Sequence, residues 1–139
     1  MWEISSGIFM GWSLGSNDSA NIFGTGVGAK IIRYRTAIIL ISVFVILGAL
    51  LEGEKCFATL GELSKLDSRL AFFTALAAAI VVFFFTFLGI PVSTSQAVVG
   101  AILGASLYSG AVDFSKLYKI VICWVLTPIG GAFTSFFLF

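Results

Sequence analysis

The sequence contains no histidine. That removes the commonest metal ligand and the side chain that most readily carries protons near neutral pH. Its two cysteines, Cys56 and Cys123, are too far apart in sequence to read as a metal-ligand pair or a disulfide framework. Charge is scarce: Asp, Glu, Lys and Arg make up 11% of 139 residues, where soluble domains carry about a quarter. The formal net charge of +1 gives no electrostatic case for a nucleic-acid partner. No nucleophile–base pair, Walker loop or dinucleotide fingerprint is present, so enzymatic chemistry has no support. The opening residues Met1, Trp2, Glu3 and Ile4 lack the basic stretch of a cleaved signal peptide, and the first apolar segment is expected to be retained.

What is present is overwhelmingly apolar. Hydrophobic residues account for 59% of the chain. No Asp, Glu, Lys or Arg occurs from Thr36 to Leu51, from Leu70 to Val112, or from Ile120 to Phe139. Apolar runs of about 20 residues are what a bilayer core requires. The charged residues gather instead at Lys30 to Arg35, Glu52 to Arg69 and Asp113 to Lys119. The expected fold is all-α, a polytopic bundle of transmembrane helices in a multi-pass cell-membrane protein. The pattern predicts a broken helix over 4–29, a helix over 36–51, an interfacial loop over 52–69 and a helix over 70–88. A polar break over 89–96 follows, then helices over 97–112 and 120–139. Trp2, Trp12 and Trp124 suit interface anchors. The chain ends flush with an apolar helix, so more sequence is expected beyond it.

Two polar interruptions stand out. Gly15 to Asn21 reads Gly-Ser-Asn-Asp-Ser-Ala-Asn, and Gly89 to Gln96 reads Gly-Ile-Pro-Val-Ser-Thr-Ser-Gln. Each precedes a pair of glycines at the same offset, Gly24 and Gly28 after the first, Gly100 and Gly104 after the second. Such spacing lets membrane helices approach closely, although glycine is common in membrane helices anyway. Polar backbone at membrane depth is tolerated where it lines a cavity. Paired helix interruptions are the best sequence pointer to a transporter's binding site. A broken helix presents N–H groups and the positive end of its dipole to an anion, and carbonyls to a small cation. Ser93, Thr94, Ser95, Gln96 and Asn17 add side chains able to serve either ligand.

Asp18 is the sharpest single residue, the only Asp, Glu, Lys or Arg between Glu3 and Lys30. An ionisable group within a membrane segment is a functional-site hypothesis by default. The plainer alternative is a helix N-cap at the interface. Asn17 and Asn21, at i, i+4 spacing around it, would complete an oxygen-rich patch for a hard monovalent cation or a proton. A proton carrier would have to titrate near neutrality, and within the two tips only Asp18 is available. Sodium needs no such adjustment, and oxygen ligands suit it. Sodium coupling is therefore expected, with no cofactor beyond that ion.

The two interruptions resemble the signature regions of the inorganic phosphate transporter family. Gly15 to Gly28 is similar to its G-A-N-D-x-A-N-x-F-G-T-x-V-G, with Ser16 in place of the usual alanine. Gly89 to Gly104 is similar to G-x-P-V-S-T-[ST]-[HQ]-A-x-x-G-A-x-x-G. The resemblance implies uptake of inorganic phosphate driven by sodium or protons. It implies phosphate binding by Ser93, Thr94, Ser95, Gln96, Gly24 and Thr25, and ion coupling by Asn17, Asp18, Asn21 and Gln96. Sodium would sit on Asn17, Asp18 and Asn21. Two departures matter. The family usually carries the signature twice, so this chain resembles one half of an inverted-repeat symporter, to be completed by a second half or another copy of itself. Val45 stands where some members carry an acid.

Phosphate would then lie between the two tips near mid-membrane. No Lys or Arg is near either tip in sequence, so helix N-termini, hydroxyls and bound cations are expected to hold the anion. Another oxyanion such as sulfate would suit the same donors, and a non-transporting assembly subunit is the remaining alternative. Lys30, Arg33 and Arg35 form a purely basic loop, which places it in the cytoplasm and the N-terminus and the 52–69 loop outside.

Overall fold

The computed structural model describes residues 3–63, 67–110 and 114–138. Among them there are five helices and no strand: α1 (Glu3–Gly28), α2 (Tyr34–Leu63), α3 (Ser68–Phe87), α4 (Thr94–Ser109) and α5 (Phe114–Leu138). Three segments are long and apolar enough to cross a membrane: Tyr34–Cys56, Ser68–Phe87 and Leu117–Leu138. Twenty helical residues extend about 30 Å, the thickness of a hydrocarbon core. The 16 residues of α4 reach only about 24 Å.

The main packing is α1 against α3, then α3 against α4, with α2 and α5 making few contacts. Buried positions on α1 are Ser6, Ser13 and Asn17; those on α3 are Thr74, Ala78, Ala79 and Val82. These side chains are small, which lets two helix backbones approach closely. Phe83 of α3 stacks near Phe9 and Trp12 of α1, at ring separations of 5.8 and 5.4 Å. The outer faces of α2 and α5 stay exposed and apolar, as a lipid-facing surface does. The repeated glycines do not make the close approach. A Cβ added at Gly7, Gly11, Gly15, Gly24, Gly28, Gly100 or Gly104 would meet nothing within 4 Å.

The first interruption differs from the expectation. Helix α1 runs unbroken through Gly15 to Asn21. The reason lies in where the polar side chains go. The Ser16 hydroxyl donates to the Ser13 carbonyl at 2.9 Å, and the Ser19 hydroxyl donates to the Gly15 carbonyl. Such back-bonding satisfies the hydroxyls without opening the helix. The second interruption is real, and it spans 88–93, between α3 and α4, since Thr94 to Gln96 are already helical.

Helix α2 also outruns its expected end. It continues through the charged Glu52–Lys55 stretch to Leu63, so that most of the expected 52–69 loop is helix. Glu52 and Lys55 pair at 2.8 Å across one turn, a spacing that supports a helix. Residues 64–66 of that loop lie outside the described residues. Asp67 caps α3, its Oδ1 accepting from the Leu70 N–H at 2.7 Å. Helix α5 begins at Phe114, taking in most of the expected 113–119 loop, and carries Pro128 without a break. Asp113 lies outside the described residues.

Candidate functional site

The site grows from how α3 ends. Gly89 adopts φ +71°, a left-handed conformation that glycine reaches without a Cβ penalty. The Ile90 N–H donates to the Phe85 carbonyl and the Gly89 N–H to the Thr86 carbonyl, a double closure that terminates a helix. Pro91 then forbids further helix. Ser93 restarts it: its backbone is extended, and its hydroxyl accepts from the Gln96 N–H at 3.3 Å. This is N-capping, and it opens α4 at Thr94.

Asn17 of α1 fastens this turn. Its side-chain amide is 2% exposed. Its Nδ2 donates to the Val92 carbonyl at 2.8 Å, and its Oδ1 accepts from the Val92 N–H at 3.4 Å and the Thr86 hydroxyl at 3.3 Å. One side chain thus replaces the backbone partner that Val92 lost when the helix broke. The remaining Nδ2 proton goes to Asp18 Oδ1 at 3.1 Å. Asp18 in turn accepts from the Thr94 hydroxyl, with Oδ1 and Oδ2 at 3.3 and 3.4 Å. The two polar stretches, distant in sequence, therefore meet through Asn17–Val92 and Asp18–Thr94.

Three cavities surround this junction. One of about 240 Å³ is lined by Asn17, Asn21, Thr86 and the turn residues Gly89 to Pro91. A second of about 390 Å³ lies between α1 and α2 and is lined by Asp18, Ser19, Phe44 and Val45, among others. A third of about 500 Å³ is lined by Thr94 and Ser95 with Leu14, Lys55, Val98, Ile120 and Trp124. The helix geometry explains the division. Asn17 and Asn21 share a face at i, i+4, while Asp18 is turned about 100° away. The oxygen patch expected from Asn17, Asp18 and Asn21 is thus spread over two cavities.

The other expected residues fall differently. Ser93 and Ser95 place their hydroxyl oxygens 3.2 Å apart, and Gln96 is exposed one residue further along α4. Gly24 and Thr25 are not at this junction. Gly24 lines a separate cavity between α1 and α2 with Phe23, Val27 and Tyr34, and Thr25 is exposed. Because α1 is unbroken, two helical turns separate these residues from Asn17.

Three participants escaped sequence reasoning. Thr86 reads as one more residue of an apolar helix, and Val92 contributes only its backbone. Lys55 lies far away in sequence and reaches the Thr94 cavity because α2 continues through the charged stretch. Lys55 thus borders the cavity at the second tip, where the sequence showed no basic residue.

A family model described as the phosphate transporter family matches residues 14–139. Among the most similar curated proteins is one from Pyrococcus furiosus, 34% identical over 96% of this chain and 35% of its own length. Another, from Methanocaldococcus jannaschii, is 36% identical over 96% of this chain and 44% of its own length. Each carries the name "Putative phosphate permease". The chain spans between a third and a half of the length of these two relatives. No solved structure matches it.

Proposed function

The chain belongs to the phosphate transporter family, and from that premise we propose that it forms part of a secondary transporter that moves inorganic phosphate across the cell membrane together with sodium. The observation that carries the reading is the Thr94 hydroxyl. It donates to the Asp18 carboxylate while the same residue lines the cavity of about 500 Å³. One side chain thus touches the ion-coupling group and the space available to an anion.

A hydroxyl has one proton to give. With Asp18 unneutralised, the Thr94 proton is held by the carboxylate. A cation arriving at Asp18 competes for the carboxylate lone pairs and frees the Thr94 hydroxyl to donate toward phosphate. The cation also offsets the anion's charge. Each ligand then favours the other, a reciprocity that follows from linkage. Ser95 stands beside Thr94 in the same cavity, and the Thr94 and Ser95 N–H groups, which precede the capped Gln96 N–H, have no intrahelical acceptor. Both add donors for an oxyanion.

Sodium is favoured over the proton because the surroundings are rich in neutral oxygen. Asn21, Thr86 and the opened backbone at Gly89 to Pro91 border one cavity, and Asp18 and Ser19 border the next. In this conformation Asn17 is engaged with Val92, so its part is to hold the turn that presents the remaining groups. Ser93 and Gln96 stand at the start of α4, where Ser93 caps the helix that presents Thr94 and Ser95.

The test is uptake by the complete transporter in proteoliposomes. A sodium gradient at equal pH should drive phosphate accumulation, and sulfate should compete poorly. Full accumulation under a pH gradient without sodium would make Asp18 a proton carrier. Sulfate uptake in place of phosphate would change the substrate, and no uptake of either would leave an assembly role.

A further inference from the structure

The turn between α1 and α2 carries three cations in six residues, Lys30, Arg33 and Arg35, and no acid. All three residues are exposed, and none forms an ion pair with a described residue. Helix stability does not account for them. Arg33 and Arg35 stand at the start of α2, where positive charge opposes the helix dipole. Lys30 follows the C-terminal end of α1, which favours a cation. It does so at a left-handed φ of +60°, which glycine would take without a Cβ penalty.

The turn also lies at the end of a membrane-length segment. The apolar span of α2 begins at Tyr34, and Ile31 and Tyr34 are 79% and 67% exposed. Tyr34 further lines the cavity of about 500 Å³ between α1 and α2, with Phe23, Val27, Ala37, Ile38 and Ile41. That volume is within the usual range of ligand sites, about 300–1,000 Å³. The two hydroxyls at the end away from the turn, Ser16 and Ser19, already donate to carbonyls of α1. The cavity therefore offers aliphatic contact and little to a polar solute.

We propose that this cavity and the basic turn together bind one anionic phospholipid. An acyl chain lies along the cavity, and the headgroup phosphate rests on Lys30, Arg33 and Arg35. Two adjoining features, one apolar and one cationic, match the two ends of such a molecule. Inorganic phosphate would use the cations alone, so the lipid is the source assigned here. The positive-inside pattern sets this turn against the cytoplasmic leaflet, where anionic lipid concentrates. The inference requires a chain seated in a membrane and does not depend on what that chain transports.

The test is lipid retention by the complete protein in detergent, equilibrated with equal amounts of phosphatidylglycerol and phosphatidylcholine and read by native mass spectrometry. One phosphatidylglycerol should remain bound in preference to phosphatidylcholine, and the preference should shrink as salt is raised. Combining Lys30→Gln, Arg33→Gln and Arg35→Gln should weaken phosphatidylglycerol binding on the order of a hundredfold, the scale of three interfacial charges. Lys30→Arg alone should keep it. A Cβ added at Gly24, which lines the cavity, meets nothing within 4 Å. Gly24→Leu takes up that space with the charges intact, and should weaken binding roughly tenfold, as for two lost methylene contacts. Equal retention of the two lipids, or a preference that survives the Gln substitutions, overturns the proposal. Unchanged retention in Gly24→Leu does so too, because the headgroup is then held without a seated chain. Displacement of the lipid by inorganic phosphate, or retention of neither lipid because a second half of the transporter fills the cavity, also overturns it. Should the triple variant fail to fold, the salt series on the unsubstituted protein and Gly24→Leu decide.

Discussion

Neighbouring residues in one short motif perform different physical tasks. Asn17 is buried and spends its amide on Val92, Thr86 and Asp18. Replacing it with Ala leaves the Val92 N–H and C=O without their partner. We expect Asn17→Ala to lower stability by about 1–3 kcal/mol, seen as a reduced unfolding temperature in detergent. Ser13, one turn earlier, provides the contrast. Its hydroxyl is fully buried with no partner among the described residues. Ser13→Ala is therefore expected to be neutral or slightly stabilising in the same assay, because it removes a polar group that made no bond. On the proposed reading, Asp18 concerns function more than stability. Asp18→Asn keeps the shape and still accepts from Thr94, but it loses the charge that attracts a cation. Coupled phosphate uptake should fall nearly to background while membrane insertion, checked by surface biotinylation, stays normal. Uptake at the unsubstituted rate with unchanged ion dependence would remove Asp18 from coupling.

At the scale of elements, α1 and α3 end by the same device with different residues. Both close with one bond from five residues along and one from within: Ile31 to Gly26 and Lys30 to Val27 for α1, Ile90 to Phe85 and Gly89 to Thr86 for α3. The left-handed position is Gly89 in α3 and Lys30 in α1, with φ of +71° and +60°. A lysine there carries a Cβ cost of roughly 1 kcal/mol. Lys30→Gly should therefore stabilise the protein by about 0.5–1 kcal/mol, measurable as a raised unfolding temperature. Gly89→Ala should cost a similar amount and loosen the turn on which Ser93 and Thr94 depend. The contrast fits their places, since one turn joins two helices and the other positions Ser93 and Thr94 against α1.

At the scale of the whole molecule, burial is concentrated between α1 and α3, while α2 and α5 present long apolar faces outward. The cavities at the junction stay open at their sides, and a transported ion must be shielded from lipid as well as from free water. On the reading above, transport therefore requires a second half, covalent or as another copy. Cross-linking in native membranes followed by size determination should show the chain joined to such a half wherever uptake is measured. A strictly monomeric chain of this length that transports phosphate would refute the requirement.

Much was legible without coordinates. Long intervals free of charge determine helices of membrane length, because a charged side chain in hydrocarbon is expensive. Pro91 and Gly89 determine the second interruption through a missing N–H and a left-handed φ, both local properties of the chain. The proximity of the two polar stretches followed only from their shared pattern. Whether the first stretch breaks its helix was not decidable locally. Ser16 and Ser19 can bond back to their own helix or outward, and in the fold both bond back. The roles of Asn17 and Asp18 separated for the same reason: 100° of rotation per residue turns one toward Val92 and the other toward α2 and Thr94. Lys55 arrived at the Thr94 cavity because α2 continued as a helix beyond the apolar run. Its placement depends on how far α2 extends and how it packs, which is a property of the folded chain.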